Sequence, residues 1–184
     1  MKKTILAVAA VIASVGAWGQ GQVNFSNVSA VIGYDAQVFD SDNTTPLMGP
    51  AYLAQLYTGA SEDALAPVGA TTGFLDIAAL PGQFNGGVRT IDGVAGGADA
   101  LLQVRAWEAS GGDTYEAAVS SGAKFGSSAS FTRTLGGGGT PPAPASNLGS
   151  ADAPGIQSFS LVPEPSTAAL GILGAVALML RRRK

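Results

Sequence analysis

Carboxylates and aromatic rings are the side chains in this 184-residue chain whose types and spacing carry chemistry. Asp40-Ser41-Asp42-Asn43 begins like a calcium loop, in which oxygen ligands recur at alternate positions. A full EF-hand loop starting at Asp40 needs Gly at its sixth position and Glu at its twelfth. The chain has Thr45 and Ala51 there, so the segment is expected to be an acidic Asx-type turn without a metal. Glu108, Asp113 and Glu116 are near enough in sequence to make a carboxylate pair or a cation site, against the plainer expectation of solvated loop charge. Trp107, Tyr52 and Tyr57 offer faces that stack on pyranose rings, although the same spacing suits core residues. Asn27-Val28-Ser29 and Asn43-Thr44-Thr45 match a glycosylation sequon, and Gly136–Gly139 lacks the Gly-Lys-Ser/Thr that follows in a phosphate loop.

The missing residue types narrow this chemistry. The chain has neither histidine nor cysteine. That removes Ser-His-Asp and Cys-His nucleophile arrangements, the commonest general base, and the usual zinc and copper sites. It also removes disulfides, so stability must come from a core. Between Gln20 and Val162 the only basic residues are Arg89, Arg105, Lys124 and Arg133, against twelve carboxylates, a net charge of about −8. Such a segment cannot neutralise phosphates, which excludes a nucleic-acid partner. The expectation is a non-catalytic domain that needs no cofactor. The alternative is a carbohydrate-active module, either lectin-like or a glycosidase with two carboxylates about 5–10 Å apart.

The elements that must position these residues read as strands. Gly, Ser, Thr and Ala are abundant, and short runs alternate between apolar and polar residues. The candidates are Gln22–Val28, Ala30–Phe39, Ala51–Tyr57, Gly73–Ile77, Gly87–Ile91, Ala100–Ala109, Ser130–Leu135 and Ile156–Val162. Turn-forming residues separate them, among them Asp40–Asn43, Pro81-Gly82, Asn85–Gly87, Gly96-Gly97 and Gly111–Asp113. Leu102, Val104 and Ala106 share one face of the clearest strand, and Leu101, Gln103, Arg105 and Trp107 the other. Tyr115–Val119 fits either a helical turn or a short strand. Gly136–Ala145 reads as a long loop inside the domain, or else as the start of a flexible stalk. The expected architecture is an all-β sandwich over residues 20–162, with jelly-roll-like or Greek-key wiring.

Both ends read as targeting segments. Lys2 and Lys3 precede an apolar stretch of signal-peptide length, residues 1–19 in all, with cleavage expected between Gly19 and Gln20 or, alternatively, after Ala17. At the other end Pro163-Glu164-Pro165 is followed by the uncharged run 166–180 and a basic stop, Arg181, Arg182, Arg183 and Lys184 (181–184). Fifteen helical residues span roughly 22 Å, short of a hydrocarbon core of about 30 Å. Small residues such as Gly171 and Gly174, with long basic stems that snorkel, nevertheless suit a membrane helix. Basic residues at both ends are expected to stay on the cytoplasmic side, with the segment between them exported.

Residues 163–184 resemble the PEP-CTERM sorting tail of Gram-negative, biofilm-forming bacteria. Gln22–Asn27, Tyr52–Tyr57 and Leu102–Trp107, with a closing strand running into Val162-Pro163, resemble small exported domains of PEP-CTERM proteins in Verrucomicrobia-like bacteria. The resemblance implies export by the Sec machinery and signal peptidase. It also implies a membrane-held precursor, and recognition by an exosortase-type enzyme around Val162, Pro163, Glu164 and Pro165. The implied destination is the cell surface or the matrix, in association with exopolysaccharide. It implies no activity for the domain.

Overall fold

In the computed structural model residues 19–149 and 155–162 are described. The leader before Gly19 and the tail from Pro163, with its basic stop Arg181–Lys184, lie outside them. The described strands are β1 (Gln20–Ser26), β2 (Val28–Ser29), β3 (Tyr34–Asp35), β4 (Val38–Phe39), β5 (Tyr52–Gly59), β6 (Ala66–Gly73) and β7 (Asn85–Ala95). They continue with β8 (Asp99–Glu108), β9 (Phe125–Ser127), β10 (Phe131–Thr134), β11 (Ser146–Asn147) and β12 (Phe159–Ser160). One short helix, α1 (Tyr115–Ser121), lies between β8 and β9. The fold is therefore all-β. No helix among the described residues is long and apolar enough to cross a membrane.

Two sheets carry the structure. One runs β11-β1-β7, and the other runs β10-β8-β5-β6 with β9 also on β8. The pairs are antiparallel except β1 with β11. Alternation puts Val23 and Phe25 of β1 and Ile91 of β7 on the inner side of the small sheet. Leu56 of β5 and Leu102, Val104 and Ala106 of β8 do the same in the large one, and all of them join one buried cluster. Phe84 sits in that cluster between Phe25, 4.8 Å away centre to centre, and Phe74, 5.6 Å away. Both pairs lie in the tilted or edge-on geometry that ring quadrupoles favour.

The strand expected at Gly73–Ile77 is absent; Phe74 makes only a bridge to Phe84. The strand in that region is β6, which precedes it and lies at a sheet edge, where Pro67 costs no ladder bond. Its register against β5 slips between Ala54 and Leu56, with Gly69 at φ +64° in the resulting bulge. Arg89 of β7 reaches over that bulge and donates to the Ala70 carbonyl, tying the edges of the two sheets together. Ala30–Phe39 is not one strand either. The chain turns through Gly33 at φ +69° and resumes as the two-residue β3 and β4.

The edge beside β8 is a broken strand, β9 and β10, with Ser128 at the break. Ser128 is buried; its amide donates to the Val104 carbonyl, and its hydroxyl oxygen accepts the Val104 amide at 3.0 Å. A side chain thus substitutes for the missing ladder bond. Ser128→Ala leaves the Val104 N–H without a partner and is expected to cost about 1–3 kcal/mol. Ser130→Ala, two residues along, should be close to neutral in the same urea titration. Equal midpoints for the two variants would contradict this role.

Candidate functional site

The outer face of the large sheet carries Trp107 and Tyr57, two of the three aromatic residues that the sequence singles out. α1 lies across it. Thr114 caps the helix by accepting the Ala117 amide, and Gly122 ends it in the left-handed region. Under α1, Trp107 and Ala118 are fully buried and pack with Tyr115 and Phe125. Tyr115 meets Trp107 at 6.1 Å and Phe125 at 5.7 Å, both edge-on, and the Trp107 indole N–H donates to the Gly112 carbonyl at 2.9 Å. The Arg105 guanidinium lies 4.1 Å from the Tyr57 ring centre and 4.9 Å from that of Tyr115.

These contacts use up the stacking surface. Trp107 is 0 % exposed and Tyr57 1 %, so neither ring has a free face for a sugar. Tyr52 is half-buried on the inner side of β5 with Ala54 and Leu56, packs against the main core, and brings its hydroxyl to 3.5 Å from Asp40. The stacking platform proposed for Trp107, Tyr52 and Tyr57 is therefore corrected: Trp107 and Tyr57 are core, roofed by a helix that the sequence leaves undecided.

Glu116 belongs to the same cluster. It accepts the Tyr57 hydroxyl at 3.1 Å and pairs with Arg105 at 3.3 Å. Burial, and then the Glu116 charge, pushes the Tyr57 phenol up to about 12. Tyr57 is thus a neutral hydrogen-bond donor across the ordinary pH range. Among the described residues, no group of three or more acids is placed to hold a metal ion.

The Asp40–Asn43 segment forms the Asx-type turn. Asp42 accepts the Thr44 amide at 2.9 Å and the Thr45 amide at 2.8 Å, and the Thr45 hydroxyl donates to it as well. These bonds, the Thr45 hydroxyl foremost, hold the Asp42 carboxyl well below the usual carboxylate range. Asn43 takes the left-handed conformation at φ 60° that Asn tolerates in turns. Asp40 accepts the Ser41 amide and pairs with Lys124.

Asn27 is the buried polar residue that sequence reading passes over. It is 0 % exposed. Its amide donates to the carbonyls of Ala36 and Gly82, and its Oδ1 accepts the Phe84 amide, each at 2.8 Å. Every polar atom of the side chain is used, so the sequon at Asn27 is closed to modification in the folded chain.

The four cations among the described residues are likewise engaged within the fold. Arg89 donates to Gly86 and Ala70, Arg105 pairs with Glu116, Lys124 with Asp40, and Arg133 donates to the carbonyls of Asn147 and Gly149. A depression of about 430 Å³ includes Thr58, Asp92, Val94 and Asp99 in its lining. Its two carboxylates are exposed, and no aromatic ring or cation lines it.

At the predicted processing positions, Gln20 opens β1, and the Gly19 carbonyl accepts the Gly96 amide at 2.8 Å. Val162 is bridged to Phe125, its amide donating to the Phe125 carbonyl at 2.7 Å. Pro163, Glu164 and Pro165 follow outside the described residues. Comparison of the chain with family models, with curated proteins and with solved structures finds no match to any of them.

Proposed function

We propose that this chain is an exported cell-surface or matrix protein, sorted through a PEP-CTERM-type tail, whose β domain acts by presence or by binding and not by catalysis. The observation that carries the reading is the order of features in residues 163–184: Pro-Glu-Pro, an uncharged apolar run, then Arg-Arg-Arg-Lys. The leader and the acidic region between the two ends support it. In the same reading the two sheets, which share one core, form a β-sandwich with Greek-key or jelly-roll-like wiring. The partners are the Sec machinery, signal peptidase, the membrane before processing, an exosortase-type enzyme, and exopolysaccharide at the destination.

Val162 bears on the reading. It is hydrogen-bonded within the domain, and Pro163 is the next residue. A sorted domain would therefore stand against the membrane with almost no spacer. At the other end, cleavage after Ala17 keeps the Gly19–Gly96 hydrogen bond, whereas cleavage before Gln20 loses it; the bond favours the first. Intact mass of the surface-released protein tests both ends. The expected species begins at Trp18 and ends between Val162 and Pro165. A released species still ending in Arg-Arg-Arg-Lys would overturn the sorting reading.

A further inference from the structure

The last described residues occupy a slot. On one side β12 runs parallel to β4, Phe159 beside Val38 and Ser160 beside Phe39, and the Leu161 amide donates to the Phe39 carbonyl at 2.9 Å. On the other side the Val162 amide donates to the Phe125 carbonyl of β9. The slot is narrow at Gly126, where an added Cβ would sit 2.5 Å from the Ser160 carbonyl oxygen and 3.1 Å from the Leu161 Cα. The residue next to Phe39 is Asp40, and the residue next to Phe125 is Lys124. Their side chains meet, with Lys124 Nζ 2.9 and 2.8 Å from the two Asp40 oxygens. Among the described residues, no other side-chain hydrogen bond or ion pair joins 38–40 to 124–127.

We propose that Asp40 and Lys124 form a clasp that closes the slot between β4 and β9 and tightens the C-terminal strand in it, so that breaking the pair makes residues 159–162 open more often while the two main sheets stay intact. The inference does not depend on the sorting tail. It follows from where the pair sits: its partners flank the two residues that bond the strand on each side, and neither partner belongs to the main core.

The clasp is sensitive to pH at its acid end. Burial pushes the Asp40 carboxyl up, but hydrogen bonds from Lys124 and the Ser41 amide outweigh it and hold the group below its ordinary value. Lys124 is raised, chiefly by its bond to Asp40. The Tyr52 hydroxyl on β5 and the Glu108 carboxylate on β8 are the other titratable groups facing the pair. A depressed carboxyl contributes stability that is present above its unfolded value and lost as pH falls through the folded one; a raised ammonium contributes below its unfolded value and loses it in strong alkali. The clasp is therefore shut at neutral pH and opens in acid.

Residue-resolved amide hydrogen exchange on the full chain tests this. Lys124→Met keeps the stem and removes the charge; Asp40→Asn keeps the Ser41 contact. Each should raise exchange at Leu161 and Val162 about three- to tenfold, the scale of a partly exposed ion pair, while Val104 and Leu56 keep their protection. The double variant should exchange no faster than either single one. After correction for intrinsic rates, the unmodified chain should approach the Lys124→Met rates as pH falls below the ordinary carboxylate range. Unchanged exchange at Leu161 and Val162, an equal rise at Val104, or multiplying effects in the double variant would each overturn the clasp.

Discussion

Asn27→Ala is expected to lower the stability of the domain by on the order of 2–6 kcal/mol. The side chain makes three hydrogen bonds in a site closed to water, to Ala36, Gly82 and Phe84. Alanine leaves the Ala36 carbonyl and the Phe84 amide without partners, at about 1–3 kcal/mol each, while the Gly82 carbonyl keeps the Val38 amide. Against a total of about 5–15 kcal/mol, that is a shift of a molar or more in the urea midpoint. Asn24→Ala is the matched control. Asn24 is half-buried two strand positions upstream of Ser26 and makes one side-chain bond, to Asn147 at 3.1 Å, so its loss should cost under about 1 kcal/mol. Asn27→Asp separates donors from acceptors. It still accepts from Phe84 but turns a carboxylate oxygen toward two carbonyls, so its carboxyl should titrate above the ordinary range. Destabilisation by a raised carboxyl is present above its folded value and eases as pH falls through it. An Asn27→Ala midpoint within experimental error of Asn24→Ala would show that the three bonds are replaced by solvent.

What the sequence reveals, and what it hides, follows from where each element gets its stability. β8 is legible because Leu102, Val104 and Ala106 fall on one buried face with a strict period of two. β5 and β1 are legible for the same reason, and a one- or two-residue error at their ends changes nothing. β6 is not: Ala66-Pro-Val-Gly-Ala-Thr-Thr-Gly carries little apolar surface, and its place is set by pairing with β5 and by the clasping Arg89. β9, β11 and β12 are two or three residues long and exist only because of their tertiary partners. α1 has seven residues, too few to show a period; its caps at Thr114 and Gly122 decide it. The aromatic residues were visible, but whether their faces are open depends on α1 lying over them, which no local pattern encodes. Asn27 carried a faint signal, a polar residue closing the alternation of Val23 and Phe25. Its three partners come from segments up to 57 residues away, beyond the reach of any spacing rule.

A chain cut after Leu135 should fail to fold. The alternative to a long loop at Gly136–Ala145 was a stalk beyond a finished domain, and the two readings differ in what that cut removes. Leu148, Ile156 and Leu161 are buried in the same cluster as β1 and β8, at 0 %, 4 % and 2 % exposure. Burying three such side chains contributes roughly 5–9 kcal/mol. The cut also strips β11 from β1, leaves Arg133 without the Asn147 and Gly149 carbonyls, and opens the β4 edge where β12 lies. The sum is comparable to the whole stability of a small domain. The alternation read into Ile156–Val162 is only partly kept. Ile156 and Leu161, an odd number of residues apart, are both buried, so the segment bends instead of running as one strand, and only Phe159–Ser160 pairs with β4. Phe159 packs against the core only in part. Leu161→Ala tests the same contacts without a new terminus and should cost about 2–5 kcal/mol. Urea unfolding of residues 19–135 beside residues 19–162 is the deciding comparison. A cooperative transition at the same midpoint in both would mean that the C-terminal segment rests on a finished fold, and the stalk reading would stand.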